Sequence, residues 1–303
     1  MAQILLKAGS FVAIIVFGLV LRQTGFFQER DFAFLSKIVL RITLPAAIIM
    51  NFSGQTFELS LLTMALVGLG WNLLSVLLGY LVNRGKSPRE KAFGMLNITG
   101  YNIGNFALPF IREFLGPAGV IATSIFDTGN AMICLGGNVG FASMVVSGGG
   151  FSLRRLLTAM GKSVSFMTYL VMLTLSLLKL QLPGPILSVV QIGANANTFL
   201  AMLMLGVGFR LKITKDQLWT ILRYLGIRYC VAAAFAALAW WVLPFAPEIR
   251  RVLVLLAFSP VTSSAPGFSH ELKLDSGLSA TINSLTILIS IAAMTALLAV
   301  TAG

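Results

Sequence analysis

Long apolar runs alternate with short polar connections along the whole chain. Runs of about 20 residues, long enough to cross a hydrocarbon core as a helix, fall at 4–21, 34–52, 59–82, 92–111, 119–146, 158–180, 186–209, 219–243, 251–270 and 277–301. The pattern predicts an all-α membrane protein with ten transmembrane helices, because a segment in lipid must pair every backbone N–H and C=O. The first run ends in Leu21-Arg22-Gln23-Thr24-Gly25, without the small-residue pattern of a cleavage site, so it reads as a first span rather than a signal peptide. The Gly-rich stretch Ser147-Gly148-Gly149-Gly150 divides the runs into two sets of five, residues 1–150 and 151–303. Five is odd, so the second set enters the membrane from the side opposite to the first, as an inverted repeat does. Lys7…Ser10-Phe11 in one set and Lys162-Ser163-Val164-Ser165-Phe166 in the other are a faint echo of that repetition.

Two of the runs are interrupted in their middles, and each is the fourth of its set. Tyr101-Asn102-Ile103-Gly104-Asn105, followed by Pro109, interrupts one, and Ser259-Pro260-Val261-Thr262-Ser263-Ser264-Ala265-Pro266-Gly267 interrupts the other. Asn102 and Pro260 lie about ten and about nine residues into their runs, or ~15 and ~14 Å at 1.5 Å per residue, which is close to the bilayer midplane. Gly104 and Pro260 disrupt the helical ladder, one through backbone freedom and the other through a missing N–H. Irregular backbone at that depth persists only where it lines a cavity or is packed in protein. Paired interruptions in corresponding places point to a transporter's binding site. Each break exposes a half-helix N-terminus with unpaired N–H donors and a partial positive charge, which suits a carboxylate. Asn102, Asn105, Thr262, Ser263 and Ser264 supply short polar side chains beside it.

Of the ten acidic residues, only Asp127 falls in mid-run, in Ser124-Ile125-Phe126-Asp127-Thr128-Gly129-Asn130. A charge at that depth costs about 2.5–3.5 kcal/mol on insertion scales, so an acid kept there reads as a proton- or cation-coupling group. Asn130 stands one turn on. Asn283, at the same offset in the last run, is its uncharged counterpart across the predicted pseudo-symmetry.

Composition narrows the partners. The chain is 57% apolar and 11% charged, with a mean hydropathy of +0.90, so lipid is the solvent for most of its surface. The net charge of +12 is not a nucleic-acid signal. Sixteen basic residues, among them Arg22, Arg41, Arg89, Lys162, Arg210 and Lys273, belong to odd-numbered connections, and five belong to the other side. That is the positive-inside bias, and it places both termini outside, in the periplasm of a bacterial inner membrane. Arg228 is left inside a run, where snorkelling toward the cytoplasmic surface accounts for it. Trp71, Trp219, Trp240 and Trp241 read as interface anchors, and Cys134 and Cys230 as small buried hydrophobes. Nothing in the sequence calls for a cofactor, a metal or catalytic chemistry, and a homodimer is left open.

Asn102-Ile103-Gly104-Asn105-Phe106-Ala107-Leu108-Pro109 resembles the Asn-x-Gly…Pro signature in the fourth span of the auxin efflux carrier family. Pro260 through Glu271, running into Ser279-Ala280-Thr281-Ile282-Asn283-Ser284, is similar to that family's last two spans. Leu44-Pro45-Ala46 and Leu205-Gly206-Val207-Gly208 match its second and seventh. The resemblance implies two inverted five-helix repeats, a scaffold and a transport subdomain, crossed broken helices 4 and 9, and kinship with bile acid/sodium symporters. It also implies that Asn102 and Pro260 are the crossover residues. Tyr101 stands where plant members carry a crossover proline, and their long hydrophilic central loop is missing, as in compact bacterial members. The expectation is an alternating-access carrier for a small organic anion such as a mono- or dicarboxylate, coupled to H+ or Na+, with an anion channel as the rival reading. The substrate-binding candidates are Asn102, Gly104, Asn105, Pro260, Thr262, Ser263 and Ser264, and the ion-coupling candidates are Asp127, Asn130 and Asn283.

Overall fold

A computed structural model describes residues 2–28, 30–53, 62–147, 152–211 and 213–301. Apart from short connections and one isolated antiparallel bridge, these residues are helical. The helices are α1 (Ala2–Gln23), α2 (Asp31–Ile38), α3 (Leu44–Phe52), α4 (Thr63–Leu81), α5 (Pro88–Ile98), α6 (Leu108–Met132), α7 (Asn138–Ser147), α8 (Leu153–Lys162), α9 (Val164–Leu177), α10 (Gly184–Val207), α11 (Lys215–Trp241), α12 (Pro247–Ala257), α13 (Ala265–Glu271) and α14 (Ser276–Thr301). The predicted division between residues 150 and 151 lies outside the described residues.

Among the described residues, seven helical stretches are long and apolar enough to cross a membrane. The shortfall from ten has a local cause at each place. The predicted fourth run is divided between α5 and the start of α6, and the ninth between α12 and α13, because both are unwound in the middle. The sixth is divided at Ser163, which separates α8 from α9 and caps the latter through its hydroxyl. The long stretch Ile103–Ser147 joins the end of the fourth run to the fifth. Its direction changes at Gly116-Pro117, where Gly116 takes φ 63°, ψ −163°, a conformation open to glycine alone without strain.

α5 begins as its sequence prescribes. Pro88 occupies the first turn, the Ser87 hydroxyl accepts from the Glu90 N–H at 3.3 Å, and the Glu90 carboxylate accepts from the Ser87 N–H at 3.0 Å. Among the described residues, three wide π-helical turns interrupt the regular ladder, at Val39–Thr43, Ile103–Ala107 and Ile133–Gly137.

Helices approach closely where glycines meet backbone. A Cβ on Gly129 of α6 would overlap the Ala65 carbonyl of α4, and one on Gly68 of α4 the Phe126 carbonyl of α6. Gly206 of α10 stands in the same relation to Ile15 of α1. In lipid, where apolar surface gains little by leaving one hydrocarbon for another, such contacts are a main source of helix association. The core between these layers is aromatic, with Phe106, Phe110, Phe126 and Phe235 fully buried and Trp71 stacked on Phe235 at 4.3 Å. Large apolar side chains such as Phe17, Leu66, Ile192 and Trp241 face outward, as a chain solvated by lipid requires. Lys7 and Glu113 pair at 2.6 Å, which brings the start of α1 to the connection in the middle of α6.

Several single-residue expectations are corrected by this packing. Trp71 is an interior residue rather than an interface anchor: its indole N–H donates to the Tyr101 hydroxyl at 2.8 Å. Trp219 and Trp241, each 76% exposed, do lie at the surface. Cys134 is buried but Cys230 is exposed. Arg228, far from snorkelling, is 4% exposed in the centre of the protein.

Candidate substrate site at the two breaks

The two unwound segments meet. Tyr101 and Val261 form the antiparallel bridge, and the Asn102 N–H donates to the Pro260 carbonyl at 2.9 Å. Each break leaves backbone groups without helical partners, and side chains from neighbouring helices take them up. Asn130 of α6 holds both sides of Tyr101, accepting from its N–H at 3.1 Å and donating to its carbonyl at 3.0 Å. Asn72 of α4 accepts from the Gly100 N–H at 3.1 Å; Gly100 itself has φ 81°. At the second break, Thr286 of α14 accepts from the Val261 N–H at 3.2 Å, and Asn283 donates to the Val261 carbonyl at 2.8 Å.

The carbonyl ends of the half-helices converge on one cation. Arg228 of α11 donates to the carbonyls of Ile98 at 2.6 Å and Gly100 at 3.1 Å on the first break, and of Ser259 at 2.8 Å on the second. Its guanidinium lies 5.1 Å from the centre of the Tyr101 ring. Helix C-termini carry partial negative charge, so a guanidinium between two of them is neutralised without a carboxylate.

The opposite ends face a cavity of about 320 Å³. Asn102, Gly104, Asn105, Asp127, Asn130, Thr262, Ser263 and Ser264 all line it, so eight of the ten predicted site residues come together. Pro260 is set back from the cavity, with its carbonyl occupied by Asn102. Asn283 lines a neighbouring cavity of about 600 Å³, which Ser263 also reaches. Gly104 lets the chain pass close to α3, because a Cβ there would come within 2.6 Å of the Leu44 side chain. All three π-helical turns contribute to the wall, through Leu40 and Arg41, Ile103 to Asn105, and Cys134 and Leu135. Such widened turns recur at functional sites because they free backbone groups and redirect side chains.

Two of the lining amides are incompletely bonded. Asn102 Nδ2 and Asn105 Oδ1 are buried with no hydrogen-bond partner, although Asn105 Nδ2 donates to the Ser263 hydroxyl at 3.3 Å. Buried polar atoms are nearly always paired, so orphans beside a cavity mark where a polar guest fits. Asp127 is bonded through both oxygens, accepting from Asn130 Nδ2 at 2.8 Å and from the Tyr169 hydroxyl at 3.1 Å. Among the described residues, no group of three or more His, Cys, Asp or Glu is placed to hold a metal.

Sequence reasoning missed the basic residues of the site. Arg41 and Lys162 were counted only as orienting charges, yet both line the cavity. It also missed Tyr169, which carries no motif and sits inside an ordinary apolar run, and it assigned Arg228 to the cytoplasmic surface. The one available signal for Arg228 was its place in mid-run, the same signal that singled out Asp127.

An apolar helical body with a small polar cavity at two unwound backbones defines an integral membrane protein. Residues 10–146 match the family described as Membrane transport protein. Over that stretch, somewhat under half of the chain, the sequence is similar to a family of membrane transporters. No curated protein matches the chain.

Proposed function

We propose that the protein is a secondary active carrier for a small organic anion, a mono- or dicarboxylate, working by alternating access in a bacterial inner membrane. In this reading ten crossings form two inverted five-helix repeats, residues 1–150 and 151–303, and the broken helices cross at the cavity. The observation that carries the proposal is the cavity itself, a hollow of about 320 Å³ that joins the amides of Asn102 and Asn105, each with one unpaired atom, three hydroxyl residues of the second break, and the cations Arg41 and Lys162. That volume is at the small end of ligand pockets. The similar wiring of the breaks, Asn130 on Tyr101 and Asn283 with Thr286 on Val261, supports the repeat.

Asp127 is the coupling group of this scheme. Its oxygens face N–H and O–H donors, an environment that suits a titrating carboxyl better than the ring of oxygen ligands that a hard cation takes. A proton is therefore favoured over Na+. With the inside negative, about 2.3 kcal/mol per charge at 100 mV drives anion export without coupling, roughly a 50-fold gradient. Uptake needs the accompanying cation.

The test is counterflow in proteoliposomes, with carboxylates of increasing size loaded on the far side and neutral and cationic solutes of equal size as controls. Trans-stimulation by carboxylates alone is expected, and Asn102→Ala, which removes the unpaired Nδ2 donor, weakens their half-saturation about tenfold, the effect of losing one hydrogen bond to a charged group. Stimulation only by neutral or cationic solutes, or flux without trans-stimulation, overturns the reading.

A further inference from the structure

A third cavity, of about 440 Å³, lies between the N-terminal parts of α5, α11 and α14, away from the breaks. Four cations, Lys86, Arg89, Arg223 and Lys273, line it against two carboxylates, Glu90 and Asp275, an excess of two positive charges (4 − 2). Both carboxylates are already engaged. Glu90 accepts from the Ser87 N–H and hydroxyl, which hold its carboxyl below the usual range, and it lies 3.7 Å from Lys86. Asp275 accepts from the Leu278 N–H at 2.8 Å and from Gln217 at 3.1 Å. Arg223 is fixed by donation to the Val82 carbonyl at 2.6 Å. Among the described residues, the side chains of Arg89 and Lys273 have no hydrogen-bond or ion-pair partner. Positive-inside topology asks only that cations stand near this face, not that four of them converge on one hollow.

The wall is half apolar. Phe93 and Leu278 line the cavity, and Trp219 stands in its wall with 76% of its surface exposed. Leu218 and Leu222, also exposed, flank Trp219 on the outer side of α11 and continue an apolar lane away from the cations. A soluble phosphate satisfies the cations but leaves that lane bare.

We propose that this cavity binds the phosphate headgroup of an anionic phospholipid of the inner leaflet, with Arg89 and Lys273 on the phosphate and the acyl chains along Trp219, Leu218 and Leu222. Basic hollows between helices at the cytoplasmic surface are suited to such headgroups. The proposal is independent of what the carrier transports.

The experiment is thermal unfolding of the purified full chain in a neutral detergent, titrated with phosphatidylglycerol, phosphatidylcholine or glycerol phosphate. Phosphatidylglycerol is expected to raise the melting temperature in a saturable way, and the other two are not. Arg89→Gln/Lys273→Gln, in exposed positions where folding is undisturbed, moves the half-maximal lipid concentration up by about thirtyfold, each charge near an anionic surface being worth about fivefold. Arg154→Gln/Lys215→Gln removes the same charge from the same predicted face and leaves the titration unchanged. Three results overturn the proposal: an equal response to glycerol phosphate alone, no response to phosphatidylglycerol, or an equal loss in the control variant.

Discussion

Arg228 offers the sharpest test of the site, because a snorkelling arginine and a central one predict opposite outcomes. Arg228→Met keeps the length and apolar stem of the side chain and removes the guanidinium. The carbonyls of Ile98, Gly100 and Ser259 then lose their donors together. Hydrogen bonds to a charged group are worth about 1.5–3 kcal/mol each, so the gross loss is about 5–9 kcal/mol. Two terms reduce it: the buried cation no longer bears its desolvation, and water from the cavity re-pairs part of the exposed backbone. Breaking a buried charge interaction from one side costs about 3–5 kcal/mol net. At about 2–4 °C per kcal/mol, the melting temperature in detergent falls by about 10 °C. Arg228→Lys retains the charge, but its ammonium cannot span both breaks with the geometry of a guanidinium fork, so an intermediate loss is expected. An exposed arginine replaced by methionine shifts stability by no more than about 0.5 kcal/mol. If Arg228→Met melts within about 1 °C of the parent protein, the carbonyl-bridging account of the breaks is wrong.

Two further outcomes follow from the same geometry. If Asp127 carries the coupling proton, an imposed gradient of one pH unit is worth about 1.4 kcal/mol, or about tenfold accumulation of a substrate coupled one to one; Asp127→Asn is expected to abolish that accumulation while substrate exchange persists, and a variant that still accumulates tenfold removes Asp127 from the coupling. Gly129→Leu inserts a side chain where the Ala65 carbonyl already lies against the glycine, so α4 and α6 are forced apart; a loss of at least about 2 kcal/mol is expected from overpacking, read as a lower melting temperature, whereas Gly70→Leu, with open space at its Cβ, serves as the neutral comparison.

Much of the architecture could be read along the chain because lipid imposes its demands locally. A residue facing hydrocarbon must be apolar and a spanning backbone must pair with itself, so run length and composition located seven of the ten predicted runs as long helical stretches, and the other three are divided among the described residues. The same rule exposed the breaks: Tyr101-Asn102-Ile103-Gly104-Asn105 and Ser259-Pro260 are out of place in a continuous ladder, and Asp127 is out of place in an apolar run. Eight of the ten residues singled out on those grounds line one cavity.

Contacts between distant residues were decided only when the helices packed. Nothing near position 228 announces that its side chain will meet carbonyls 31, 128 and 130 residues away. Arg41 and Lys162 looked like ordinary boundary charges until the π-helical turns at Val39–Thr43 and Ile133–Gly137 opened a wall beside them. Trp71 matched the composition of an interface anchor, yet the approach of α4 to α6 through Gly68 and Gly129 carried it inward to Tyr101. Hydropathy reports the medium around a segment, and that medium was set by the order of residues. The partner of a given side chain depends on which helix lies beside it and at what depth, a property that small residues and broken ladders confer only in three dimensions.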